Sequence, residues 1–300
     1  MSRLKTDAIR NVNASVDGIT LDTSGNVAIP NELQLADKIV HTGDTNTFIR
    51  FPAADTVSIE TAGSERLRID SNGRVLIGGT SSLNQYGSQS YLQVQGTGYD
   101  DSTIALRRDQ NNANPPGIIF AKSRAGSLGG NTIVQDDDQV GSLVFAAADG
   151  TDLTSVAAEI KVQIDGTPGS NDVPGRIVFA TTSDGASSAT ERLRITSGGL
   201  VGINNSSPAT VLDIKSTKNS DGLTVTRNSN VAVFLGHNGS GDEGLLHLKD
   251  GGTTTIQIYG ETGQTSFFNA GNVGIGINNP NRLLTLYGDS GIALQNSTTG

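Results

Sequence analysis

The chain has no cysteine and no tryptophan, and of its 300 residues only 4% are aromatic and 17% charged. Without cysteine there is no disulfide framework, no thiolate zinc site and no cysteine nucleophile, and nothing demands an oxidising compartment. Without tryptophan and with few other rings, a sugar groove lacks the flat faces on which sugars stack. No apolar run approaches the ~20 residues of a membrane-spanning helix, and the start, Met-Ser-Arg-Leu-Lys-Thr-Asp, is polar. The expectation is synthesis in a cytoplasm with no membrane insertion. Basic residues number 21 against a net charge of −9 and are scattered, which argues against a nucleic-acid partner. Apolar residues make up 35%, where ~45–50% is usual, too few for one thick globular core.

What fills the space is glycine, 38 residues of it, with serine, threonine, asparagine and aspartate. Disorder would leave such a composition without pattern, yet β-branched residues alternate along nearly the whole chain. The clearest stretch is Glu65-Arg66-Leu67-Arg68-Ile69-Asp70-Ser71-Asn72-Gly73-Arg74-Val75-Leu76-Ile77, which returns as Glu191-Arg192-Leu193-Arg194-Ile195-Thr196-Ser197-Gly198-Gly199-Leu200-Val201-Gly202-Ile203. Period two puts Leu67 and Ile69 on one face and Arg66 and Arg68 on the other. If Ile69 faces Val75 and Leu67 faces Ile77, the hairpin closes through Ser71-Asn72-Gly73, a type I turn followed by a left-handed residue that suits glycine. The same parity places Gly25 after Thr23-Ser24, Gly199 in the second copy, and Gly271 after Asn269-Ala270 in a fourth. The second full copy and the last agree further: Leu212 and Ile214 correspond to Leu284 and Leu286. The glycines of Gly271-Asn272-Val273-Gly274-Ile275-Gly276 belong to this repeat; the segment lacks the third glycine and the helix of a dinucleotide loop.

Four regions result. Residues 1–16, with Leu4, Ala8, Ile9 and Val12 at loose helical spacing, read as a short helix or N-terminal docking arm. Residues 17–82 are β shaft repeats. Residues 83–190 form a central β module with sub-repeats Gly117-Ile118-Ile119-Phe120-Ala121, Gly141-Ser142-Leu143-Val144-Phe145-Ala146 and Gly175-Arg176-Ile177-Val178-Phe179-Ala180, each expected to be a short strand. Within it, Leu153 to Ile164 fits a helical stripe, but the alternation of Ala158, Ile160, Val162 and Ile164 favours a strand. Residues 191–300 are shaft repeats again, the last unit incomplete: Ser290-Gly291-Ile292-Ala293-Leu294 restarts a motif close to Gly300.

Hairpins with one apolar face must bury it, and a chain this poor in apolar residues does so by stacking as a solenoid or by joining identical copies. A solenoid needs a steady period, but the turn glycines lie 48 (25 to 73), 126 (73 to 199) and 72 (199 to 271) residues apart. Identical parallel chains on a threefold axis tolerate such irregularity. The expected fold is therefore all-β: an elongated, repeat-containing β-hairpin or β-helical fibre, a parallel intertwined homotrimer. Its trimer core would hold Leu67, Ile69, Val75, Ile77, Leu193, Ile195, Val201 and Ile203.

The motif Glu-Arg-Leu-Arg-Ile-x-Ser-x-Gly-x-Val-x-Ile, with the Ser/Asn-rich turn and proline after it, resembles the shaft repeat of tail fibre and related virion fibre proteins of tailed bacteriophages, especially those of marine and cyanobacterial phages. The Phe48-Ile49-Arg50-Phe51-Pro52 region and the Pro116 to Phe179 segment look like further pieces of such fibres. The resemblance implies a non-enzymatic, homotrimeric virion component, a tail or head appendage made in the host cytoplasm. Its partners would be copies of itself, another virion protein bound through the N-terminal arm, and host cell-surface polysaccharide. A head, collar or neck fibre with a purely architectural role is the alternative, and a polysaccharide-degrading tailspike a third. Two features of relatives are not seen: the C-terminal intramolecular chaperone and the tail-binding domain of podovirus fibres.

For chemistry the candidates are few. The acids Asp136-Asp137-Asp138, Asp149, Asp152, Glu159, Asp242 and Glu243 read as solvated loops before they read as a hydrolase pair. His41, His237 and His247 are the only histidines, and each reads as solvated or hydrogen-bonded before it reads as a metal ligand on a symmetry axis. No serine has a placed histidine partner. No cofactor and no metal is expected.

Overall fold

The structure, a computed structural model, describes residues 8–9, 19–21, 23–29, 33–216, 218, 221–237, 244–260, 264–269, 273–275 and 284–286. Every regular element among them is a β-strand, in keeping with the alternation that dominates the sequence. The chain divides into two compact units, one of Met1–Ile119 with Ala146–Ser155 and one of Phe120–Phe145 with Val156–Gly300.

In the first unit β1 (Ala8–Ile9), β2 (Ile19–Leu21) and β3 (Val27–Ala28) form a small sheet. Of the expected docking arm, only Ala8 and Ile9 lie among the described residues, and they form a strand paired with Thr20 and Ile19. A second sheet follows in chain order: β4 (Lys38–His41), β5 (Asp44–Arg50), β6 (Val57–Thr61), β7 (Ser64–Ile69), β8 (Val75–Ile77) and β9 (Leu92–Val94). All its neighbours are antiparallel except β8 and β9, which run parallel.

The second unit repeats that plan. Here β10 (Gln139–Ala147, whose last two residues belong to the first unit), β11 (Ser155–Ile164), β12 (Gly175–Thr181), β13 (Thr190–Ile195), β14 (Val201–Ile203) and β15 (Leu212–Ile214) form a six-stranded sheet, again ending in a parallel pair. Next come β16 (Gly222–Arg227), β17 (Asn230–His237), β18 (Gly244–Asp250), β19 (Thr253–Tyr259) and β20 (Phe267–Phe268) in a five-stranded sheet. Last is the parallel pair β21 (Val273–Ile275) and β22 (Leu284–Leu286). The pairing Val273 to Leu284 and Ile275 to Leu286 reproduces Val201 to Leu212 and Ile203 to Ile214.

The repeated hairpin closes as parity dictates. Ile69 faces Val75, Leu67 faces Ile77, and the Gly73 amide donates to the Asp70 carbonyl at 2.8 Å with φ at +76°. In the second copy the Gly199 amide donates to Thr196 at 3.0 Å with φ at +77°. Gly25 has φ at +83°, between Leu21 and Val27 in register. Gly271 lies outside the described residues.

Strict alternation fails at one point in each copy. The register of β6 on β7 slips between Ile59 and Glu60, pairing Ile59 with Leu67 but Glu60 with Glu65, so Arg66 is the extra residue of a β-bulge. The register of β12 on β13 slips likewise, leaving Arg192 extra. Arg66 and Arg68 therefore do not act as a pair on one face. Instead the bulge brings Glu65 to Arg68, which binds it through Nε at 2.6 Å and Nη2 at 2.7 Å, and Arg194 binds Glu191 at the same two distances.

The central module settles one expectation and corrects another. Residues 155–164 are a strand and not a helix. Gly141 and Gly175 lie in strands, β10 having begun at Gln139, but Gly117–Ala121 is not a strand. The sub-repeat supplied its side-chain order, but among the described residues no backbone pairs with it.

Candidate assembly surface

Residues directly opposite one another across a ladder project to the same face of a sheet. On the first six-stranded sheet, registers link Ile39, Ile49, Ile59, Leu67, Ile77 and Val94 into one row across all six strands. A second row joins Val57, Ile69, Val75 and Leu92. Among the described residues nothing covers this aliphatic face: Ile69 is 41% exposed, Ile77 39% and Leu92 58%.

The opposite face carries Arg50, Ser58, Arg68, Leu76 and Gln93 in register, and it is the one the chain covers. The parallel β8–β9 connection passes over it. The Gln93 amide bonds Leu83 through both its oxygen (3.0 Å) and its nitrogen (3.2 Å), and Arg74 donates to Ser82 at 2.7 Å. Leu76 and Ser58 are wholly buried there. Polar atoms on this face have partners, which makes burial tolerable; the aliphatic face asks only for a surface to lie against.

The second six-stranded sheet repeats the layout. One row is Ile160, Phe179, Leu193, Ile203 and Ile214; the next is Val162, Ile177, Ile195, Val201 and Leu212. All are half-buried or exposed. A shallow cleft of about 300 Å³, lined by Phe120, Val140, Leu143, Ile160 and Val162, lies on the same face. On the other face Val178 and Ala180 are buried, and Arg176 donates to Asp165 at 3.0 Å and to Asp137. At Gly202, which takes the place of Leu76, a Cβ would stand 2.1 Å from the Asn205 carbonyl oxygen, so the chain leaving β14 turns back too closely for any side chain.

The five-stranded sheet shows the pattern a third time. Leu223, Leu235, Leu246 and Ile258 make one row, and Val225, Val233, Leu248, Ile256 and Phe268 the other. None of the nine is buried. Phe234 and Leu245, on the opposite face, are.

All eight residues expected in a trimer core thus lie on the uncovered faces of the two six-stranded sheets. Sequence reading missed the breadth of those faces. Ile39, Ile49 and Ile59, or Ile177 and Phe179, join the same rows through cross-strand register, which a single strand does not display.

The candidate chemical groups are tied into structure. Asp136 accepts from the Gly166 amide at 2.8 Å, Asp137 pairs with Arg176, and Asp138 takes Arg124 at 2.6 Å through both oxygens. That guanidinium, with the Gln135 amide, holds the Asp138 carboxyl well below the usual carboxylate range. Asp149 caps its own loop through the Thr151 amide at 2.8 Å and the Asp152 amide at 3.1 Å, and Glu159 pairs with Lys161 at 3.3 Å. Asp242 and Glu243 lie outside the described residues. Among those described, no three His, Asp or Glu side chains cluster as metal ligands. His41 is exposed at the end of β4. His247 points away from Leu246 and Leu248, but into cover: its Nε2 lies 2.7 Å from Gln257 Oε1 and its ring 6.0 Å from that of Phe234.

One serine does meet a histidine. Ser216 Oγ lies 2.6 Å from His237 Nε2, beside a cleft of about 380 Å³ walled by Leu212, Ile214, Leu223 and Leu235. The same hydroxyl lies 3.1 Å from the Lys218 carbonyl, which competes with the ring for its proton.

No family model and no curated protein matches the chain. Among solved structures, the carboxy-terminal domain of the bacteriophage T5 L-shaped tail fibre is similar at a TM-score of 0.46 and 14% identity, over 75% of this chain and 98% of that one. The same T5 domain with its intramolecular chaperone domain is similar at 0.47 and 15% identity, over 79% and 69%.

Proposed function

We propose that the chain is a structural fibre protein of a tailed phage virion, three parallel copies of which bring their aliphatic sheet faces together on a common axis. The observation that carries this is the inversion of cover. Three successive sheets bury residues on one face and leave on the other aliphatic rows, half-buried or exposed, that cross six of six, five of six and five of five strands. Exposed apolar patches of such continuity mark interaction surfaces. A repeated face, presented at irregular intervals along one chain, is matched at every level only by the same chain in register. The shaft-repeat motif supports the same reading from the sequence.

Within this reading the protein is a tail fibre that mediates adsorption, with no catalytic role, docked through its N-terminal arm to another virion protein. Antibody raised against residues 83–190 and imaged on intact virions tests the position. Label on the tail and competition of adsorption by the purified chain are expected. Label on the head or collar, with adsorption unaffected, would make the fibre purely architectural.

A further inference from the structure

Two largely apolar stretches of the chain lie outside every strand and are unpaired among the described residues. From Ile104 to Arg108 and from Gly117 to Ala121, no amide or carbonyl bonds to another backbone group among the described residues. Their side chains are equally bare: Ile104, Leu106, Ile118 and Phe120 are at least half exposed, and Ile119 is 90% exposed. Backbone polar groups in folded proteins are paired almost without exception where they are covered, and an isolated apolar strand is not stable in water.

Gly117–Ala121 repeats the Gly-x-Ile/Leu-Ile/Val-Phe-Ala order that forms strands in β10 and β12. Its own chain holds it near β10 but in a relation that forbids pairing. A Cβ built at Gly141 would meet Phe120 Cβ at 2.6 Å, so Phe120 lies over the face of β10, where a side chain would stand, and not beside its edge. The Arg124 clamp on Asp138 fixes the segment there. Meanwhile β10 is the outermost strand of its sheet, with one edge unpaired among the described residues.

We propose that Gly117–Ala121 hydrogen-bonds to the free edge of β10 in a neighbouring copy of this chain, so that the central module is joined by exchanged strands as well as by apposed faces. Sequence repetition and the free edge favour a copy as the occupant. Every copy carries both the segment, with the residue order that forms strands in β10 and β12, and the free β10 edge that such a strand would extend. The proposal rests on the homotrimer above and adds to it which backbones pair.

Hydrogen exchange on the purified full chain, with its mass measured on the same sample, tests it. Amides of residues 117–121 are expected to exchange about 100-fold or more slowly than those of the 109–114 loop. A single thiol introduced by Ile119→Cys, the only one in the chain, should resist maleimide until the protein is unfolded. Fast exchange and free labelling in a particle of three chains would overturn the strand pairing and leave the trimer standing. Protection in a particle of one chain, 31.0 kDa, would mean pairing within the chain and overturn both.

Discussion

Arg176 shows how single residues secure the covered side of these sheets. It is buried, with Asp165 and Asp137 on its guanidinium, and its Nε has no partner among the described residues. Burial alone would raise the Asp165 carboxyl, but the Ser197 amide at 2.8 Å and the Arg176 guanidinium outweigh it and hold the group below its ordinary value of 3.8. A carboxylate whose folded pKa lies below its unfolded one stabilises the fold above the unfolded value. That contribution is lost as pH falls through the folded value. Chemical denaturation at pH 7 and pH 3 should therefore show a lower midpoint in acid. In Asp165→Asn the pH 7 midpoint should fall and the gap between the two pH values narrow. An unchanged gap would show that Asp165 is not among the groups responsible; Asp70, Asp138, Asp149 and Asp213, also depressed by amide or guanidinium donors, contribute the rest.

At the scale of elements, the turn is the part most fully written in the sequence. Gly199 has open space where a Cβ would go, so a substitution there meets backbone strain and nothing else. Gly199→Ala should cost about 1–2 kcal/mol, the usual cost of a left-handed L-residue, and Gly199→Asn distinctly less. Thermal unfolding of the two variants measures the difference, and equal losses would mean the turn does not hold its φ of +77° in solution. Position along the chain determines such a turn: the spacing of Ile69 and Val75 about Gly73 leaves one closure. The bulges at Arg66 and Arg192 are another matter. They depend on where the adjacent strand places Glu60 or Ala180, and alternation read along one strand assigns Arg66 to the wrong partner. For the same reason Gly117–Ala121 reads as a strand and is not one within a single chain, since strand residues need a second backbone and the sequence names only the side chains.

At the scale of the whole molecule, composition and parity were enough to expect an all-β chain and to place Leu67, Ile69, Val75 and Ile77, with their later copies, on one face. The cover of the polar face was not legible. It comes from the long connection between parallel strands, whose polar side chains, such as the Ser82 hydroxyl, and backbone groups, such as those of Leu83, find Gln93 and Arg74 only once the sheet exists. Once the polar side is closed, the aliphatic side is what remains for other copies. Each half-covered aliphatic residue retains roughly 1 kcal/mol of unrealised burial, and the rows set about ten such residues on each of the three large sheets.

The most direct test of that assembly is the mass and radius of gyration of the purified chain, by light scattering and small-angle X-ray scattering on one sample. Three parallel copies require about 93 kDa, three times 31.0 kDa, and a radius of gyration well above the ~19 Å of a compact 300-residue monomer. A particle of 31 kDa with a radius near ~19 Å would contradict the assembly and leave the aliphatic faces to be covered within one chain.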